Sequence, residues 1–151
     1  MIQSNEIIRT GHLELHFLLD SEDTNKQLVM FEAVFPAGSK VAVPPHFHKN
    51  VDEIVYVLEG KVTVTINGKE EVISAGSCCF IPRGMVHHLG NRTNKKARAL
   101  GLITPGLLGA SYFREIGRIY NSGPTPDLQL AKEFMLKHET VPVVQDRAHH
   151  G

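Results

Sequence analysis

Up to Thr104 the chain is a series of short, β-forming runs broken every few residues by Gly, Pro or Asn. Leu13, Leu15, Phe17 and Leu19 alternate with His12, Glu14 and His16, the period-2 pattern of a half-buried strand. Leu28 to Phe35, Ile54 to Leu58, Val62 to Ile66, Glu70 to Ser74, Cys78 to Ile81, Val86 to Leu89 and Ala97 to Thr104 continue the series. Asn67-Gly68 sits between two such runs, as a two-residue hairpin turn requires. Strands this short and this closely spaced cannot alternate with helices. They predict an all-β barrel or sandwich, with a barrel core over about 28–104.

After Thr104 the period changes. Pro105-Gly106 ends the last strand, and Leu108, Tyr112, Ile116 and Ile119 recur at helical spacing. Thr125-Pro126-Asp127 reads as an N-cap, a first helical proline and an acidic first turn. Leu128, Ala131 and Met135, with Phe134 beside them, give a second helix its apolar face. A helical segment over about 107–138 therefore packs on the β-domain or covers one end of it. From Val141 to Gly151 no period is visible, and a loosely held tail is expected.

Composition narrows the function. Sixteen basic residues balance sixteen acidic ones, which removes the electrostatic reason to expect nucleic acid or an anionic membrane as partner. No apolar run approaches the roughly 20 residues that cross a bilayer. The N-terminus lacks a basic start followed by an apolar stretch, so the expectation is a cytoplasmic protein without a signal peptide. Cys78 and Cys79 are adjacent and, on a strand, face opposite ways, so they do not pair with each other.

Nine histidines stand in the chain, and their spacing matters more than their number. In Pro44-Pro45-His46-Phe47-His48-Lys49-Asn50-Val51-Asp52-Glu53, the two histidines are two apart and share one strand face. Lys49, Asn50 and Val51 form a turn, and Glu53 opens the next strand on the same side. Further on, Pro82-Arg83-Gly84-Met85-Val86-His87 is a turn that delivers His87 inward. Three imidazoles and a carboxylate suit a divalent transition ion and leave coordination positions open for chemistry.

These residues resemble the two motifs of the cupins. The first motif appears as His46-x-His48, four residues, Glu53, six residues, Gly60. The second appears as Gly76, five residues, Pro82-Arg83-Gly84, two residues, His87, three residues, Asn91. The one departure is Gly38, seven residues before His46 where the motif has five, a difference in the loop entering the strand. Beyond the motifs, Thr104-Pro105-Gly106, Tyr112-Phe113-Arg114-Glu115-Ile116-Gly117 and the short Pro-Asp helix resemble the tail of quercetin-dioxygenase-like small cupins.

The resemblance implies a single jelly-roll (double-stranded β-helix) barrel with a short helical C-terminal extension. It implies His46, His48, Glu53 and His87 as ligands of iron, manganese, nickel, copper or zinc. It further implies a dioxygenase acting on a small enol, flavonol or β-diketone, with Glu53 also taking the substrate's hydroxyl proton before a C–C bond breaks. Two other readings stay open: a metal-dependent binding protein without turnover, and an oxygen-independent isomerase or hydrolase of a small polar metabolite. Cupins commonly pair through exposed strands, so a homodimer using the segment before Gly38 is expected.

Several residues read as ordinary. His88 points away from His87 as a surface or packing residue, and Asp52 takes the place of Glu53 only if the strand slips by one. His12 and His16 lie on a polar strand face, and His138, His149 and His150 look incidental. Cys78 and Cys79 read as buried small apolar groups, either of which could face the cavity. Arg83 reads as exposed, or as an anion-binding group near the cavity mouth. Tyr112 and Phe113 read as helix packing, and Asn91 as a strand-end hydrogen bonder.

Overall fold

The computed structural model describes residues 5–39 and 44–143. Two antiparallel sheets face each other, as in a jelly roll. The first contains β1 (Ile7–Thr10), β2 (Leu13–Leu19), β3 (Val29–Phe35), β10 (Ala97–Thr104), β5 (Asp52–Glu59) and β8 (Cys78–Ile81), in that spatial order. The second contains β11 (Thr140–Pro142), β4 (His46–His48), β9 (His87–Gly90), β6 (Lys61–Ile66) and β7 (Lys69–Ser74). Each run expected from the alternation is a strand. Asn67 and Gly68 both have positive φ, the conformation a right-twisted two-residue hairpin needs.

The inward faces of both sheets make one core. Leu15 and Phe17 of β2, Val55 and Val57 of β5, Val62 and Val64 of β6, and Ile81 and Ile103 are all buried. Each contributes on the order of 1.5–3 kcal/mol by leaving water, so no one-residue slip that turned such a strand over would be tolerated. Gly60, between β5 and β6, has positive φ, and a Cβ there would meet the Lys96 carbonyl oxygen at 2.7 Å. The turn therefore accepts only glycine.

Asn91 explains the end of the second motif. Its side chain is fully buried, and its amide donates to the carbonyls of Lys95 at 2.7 Å and of Phe35 and Pro36 at 3.3 Å. Its carbonyl oxygen accepts from the Thr93 backbone at 3.0 Å and hydroxyl at 2.8 Å. One side chain thereby fastens the end of β3 to the loop before β10.

Helices α1 (Ala110–Tyr120) and α2 (Leu128–Lys137) follow the sheets. The start of α1 is capped from far away in sequence, where the Asp20 carboxylate accepts the Ala110 N–H at 2.9 Å. At its other end Asn121 bonds Gly11 N at 2.9 Å and Arg9 O at 2.8 Å. These two bonds tie the end of α1 to β1 and the turn that follows it.

Four details differ from the expectations. The residue capping α2 is Asp127, whose carboxylate accepts the Leu130 N–H, and not Thr125, so Pro126 precedes the helix. Leu128 is 64% exposed, so Ala131 and Met135, with the partly buried Phe134, anchor that helix. Cys78 is exposed because β8 is an edge strand with an uncovered outer face, whereas Cys79 is half-buried. Val141 and Pro142, placed in the loose tail, join Thr140 in β11 against β4. His149 and His150 lie outside the described residues.

Replacing Asn91 with Asp keeps its shape but turns a carboxylate toward three carbonyls. Urea denaturation should show a loss of about 3 kcal/mol at neutral pH. A loss below about 1 kcal/mol would mean that the Asn91 amide does not hold the two loops together.

Candidate metal centre

Strand pairing brings the motif residues to one place. His46 of β4 lies directly across from His87 of β9, and β4 is only three residues long, so His48 completes the same face. The turn after β4 is fixed by the fully buried Val51 and by the Gly84 N–H, which donates to the His48 carbonyl at 2.7 Å. That second contact ties the Pro82-Arg83-Gly84 turn to the histidine strand. Glu53 arrives from the other sheet, on β5 between Ile81 of β8 and Ile103 of β10. The centre is therefore assembled across the sandwich, with imidazoles from one sheet and a carboxylate from the other.

The three rings are 4.6–5.4 Å apart between centroids. One nitrogen from each of His46, His48 and His87 lies within 4.8 Å of the other two, close enough to share one ion. Glu53 reaches two of these rings: Oε1 is 2.8 Å from His48 Nε2 and Oε2 is 3.4 Å from His87 Nε2. The first contact is short but poorly aimed. His48 Nε2 is buried and has no hydrogen-bond partner along its in-plane direction. A buried nitrogen left in this state is costly unless its lone pair has another use, and an ion among the three rings supplies one.

The opposite ring nitrogens set the protons. His46 Nδ1 lies 2.9 Å from the Pro44 carbonyl, and His87 Nδ1 lies 2.9 Å from the Met85 carbonyl. A carbonyl can only accept, so both rings carry their proton on Nδ1 and present a bare Nε2 to the centre. His48 Nδ1 meets the Thr140 hydroxyl at 2.8 Å.

Electrostatics agree with this arrangement. Burial, with the neighbouring rings of His87 and His48, pushes His46 down to about 3, so it stays neutral and able to ligate. Burial alone would raise Glu53, yet His48 and His87 beside it hold its carboxyl well below the usual range. Burial also disfavours a charged His87, but Glu53 and the Met85 carbonyl outweigh it and raise the ring above its ordinary value.

The centre forms part of the wall of a cavity of about 120 Å³ whose other walls are largely apolar. Leu13 and Leu15 of β2, Phe31 and Phe35 of β3, and Tyr112 and Phe113 of α1 contribute to them. Among the described residues no Lys or Arg lines it. Phe17, Phe31 and Phe113 pack edge to edge, 5.4–5.7 Å between centroids.

Comparison with known proteins fits this site. The cupin-domain family profile matches residues 31–103. A solved Thermotoga maritima structure, described as a predicted oxalate decarboxylase, superposes with a TM-score of 0.61 at 30% identity, covering 70% of this chain and 99% of that one. The chain is a cupin. A probable germin-like protein (subfamily 2 member 5) of Arabidopsis thaliana is 33% identical over 69% of this chain and 49% of its own length. Quercetin 2,3-dioxygenase of Bacillus subtilis is 26% identical over 71% of this chain and 31% of its own length. This cupin thus spans about half of the germin-like protein and a third of the dioxygenase.

The other sequence candidates fall elsewhere. Asp52 and Arg83 form an outward ion pair, with Arg83 Nε 3.2 Å from Asp52 Oδ1, and neither lines the cavity. Cys78 and Cys79 do not line it either. His88 does, beside Leu89, and is partly buried there. His16 pairs with Glu14 at 2.6 Å, half-exposed. Tyr112 and Phe113 were expected to serve helix packing alone, yet both also face the cavity, because α1 lies over its open side. Thr140 had no signal in the sequence, being a single hydroxyl in a tail without periodicity. Among the described residues no helix is long and apolar enough to cross a membrane.

In metal-free protein, ring NMR across pH should show His87 protonating above 6.5, the ordinary histidine value, while His46 stays neutral down to about 3. A His46 ring titrating near 6.5 would contradict its burial.

Proposed function

We propose that this cupin binds one divalent transition ion through His46, His48 and His87 with Glu53, and that it is a dioxygenase of a small, largely apolar enol or β-diketone. The observation that carries this reading is the union of a His-rich centre with a cavity whose described walls are largely apolar. An ion held there supplies Lewis acidity toward an enol oxygen and redox chemistry toward dioxygen.

The chain's own groups divide the remaining work. His46, His48 and His87 hold the ion as neutral donors. Glu53 is ionised at neutral pH and can accept the enol proton as the substrate binds. Its depressed basicity matches a proton made acidic by coordination and not one on an ordinary alcohol. The apolar walls exclude water from the enolate and favour a substrate with alkyl or ring substituents. The likeness to quercetin 2,3-dioxygenase supports the class of chemistry.

Size argues within that class. A cavity near 120 Å³ is of the order of one that takes benzene (roughly 150 Å³), so a small diketone or a single ring fits within it. Charge weighs against a dicarboxylate such as oxalate and against small polar metabolites, because among the described residues no Lys or Arg lines the cavity.

Elemental analysis of the purified protein should find about one ion per chain, with His46→Ala or His87→Ala losing at least tenfold in retention. With metal restored anaerobically, oxygen admission should trigger uptake with small alkyl β-diketones and none with oxalate. In Glu53→Gln this uptake should slow at least about 100-fold. A saturable ligand with no uptake under any metal would instead mean a binding protein without turnover.

The aromatic wall gives a separate outcome. Phe113→Ala should open the cavity and raise kcat/KM for a phenyl-substituted diketone relative to the smallest diketone by about tenfold. An unchanged ratio would place the size limit elsewhere.

A further inference from the structure

The part of the chain beyond the two cupin motifs reaches back into the centre at one atom. Strand β11 pairs with β4 so that Thr140 stands directly across from His48, and Val141 and Pro142 pair with Phe47 and His46. Backbone bonds extend the contact at both ends: Lys49 N to Glu139 O at 2.9 Å and Val143 N to Pro45 O at 2.7 Å. Thr140 is fully buried, and its hydroxyl is 2.8 Å from His48 Nδ1. Tyr112 of α1 lines the cavity beside the centre.

We infer that Thr140 is a positioning residue for His48, and that through it the C-terminal helices and strand set the affinity and geometry of the metal centre. The inference rests on the metal reading above. It stands on a chemical difference between the three rings. His46 and His87 are oriented by backbone carbonyls, which no substitution at those positions can remove. His48 is oriented by a side chain 92 residues away in sequence. With an ion on His48 Nε2, the ring proton must sit on Nδ1, and the Thr140 oxygen is its acceptor. Removing the hydroxyl leaves a buried N–H without a partner and frees the ring to rotate away from the ion.

The test compares Thr140→Val, which keeps the shape without the acceptor, with Thr140→Ser, which keeps the acceptor. Zinc affinity is measured by competition with a chromophoric chelator, and copper(II)-loaded protein gives the ligand geometry by EPR. Thr140→Val should bind zinc at least 10-fold more weakly and show altered copper hyperfine splitting. Thr140→Ser should come within about threefold of the parent on zinc and keep its spectrum. Melting of the metal-free forms separates this from loss of β11, and if the valine form does not fold, Thr140→Ala against Thr140→Ser gives the same comparison. Zinc binding and spectra unchanged in Thr140→Val would overturn the role of Thr140 and leave the metal reading standing. A parent protein that binds neither ion would overturn the metal reading itself.

Discussion

Burying four ionisable side chains together inside an apolar sandwich is unfavourable, and the surroundings of the centre are arranged to make it tolerable. A lone buried histidine or carboxylate normally loses its charge or its place. Here Glu53 is held in its charged form by the rings beside it, while His46 is driven to stay neutral. The outward nitrogens of the rings are satisfied by two carbonyls and a hydroxyl, so the unmet bonding capacity faces inward. That inward surplus is what suits the centre to an ion.

The fold was legible because strand periodicity repeats over many residues. Leu15 and Phe17 against Glu14 and His16 announce one face, and each further strand agrees with it. The histidines and Glu53 were legible for a related reason: on paired short strands, a spacing of two fixes a face. Thr140 was not legible. Its strand has three residues, and its partner lies in a strand of equal length far back in the chain, so neither length nor period marks it. The cap of α1 is similar, since Asp20 meets Ala110 only after the sheets have formed. At α2 the local signal was present but offset, because threonine two residues earlier and aspartate offer the same kind of cap.

The family and the cavity speak to different questions. Membership among cupins accounts for the sandwich and for where the ligating types stand. It does not choose a substrate, since the proteins this chain resembles carry both oxalate and quercetin in their names. The choice lies with residues outside those motifs, Leu13 and Leu15 on β2 and Tyr112 and Phe113 on α1 among them. These come from the parts of the chain before and after the motif region, so specificity can change while the centre is kept.

The division of the centre between two sheets has a mechanical side. Three rings ride on one hydrogen-bonded sheet, which is stiff in its own plane. Glu53 rides on the other, joined to the first by side-chain packing and by the short turn between His48 and Asp52. A guest that wedges the sandwich apart would draw the carboxylate away from His48 and His87 while the ring triangle keeps its shape. Occupancy of the cavity and strength of the internal base are then linked through a single separation, that between the sheets.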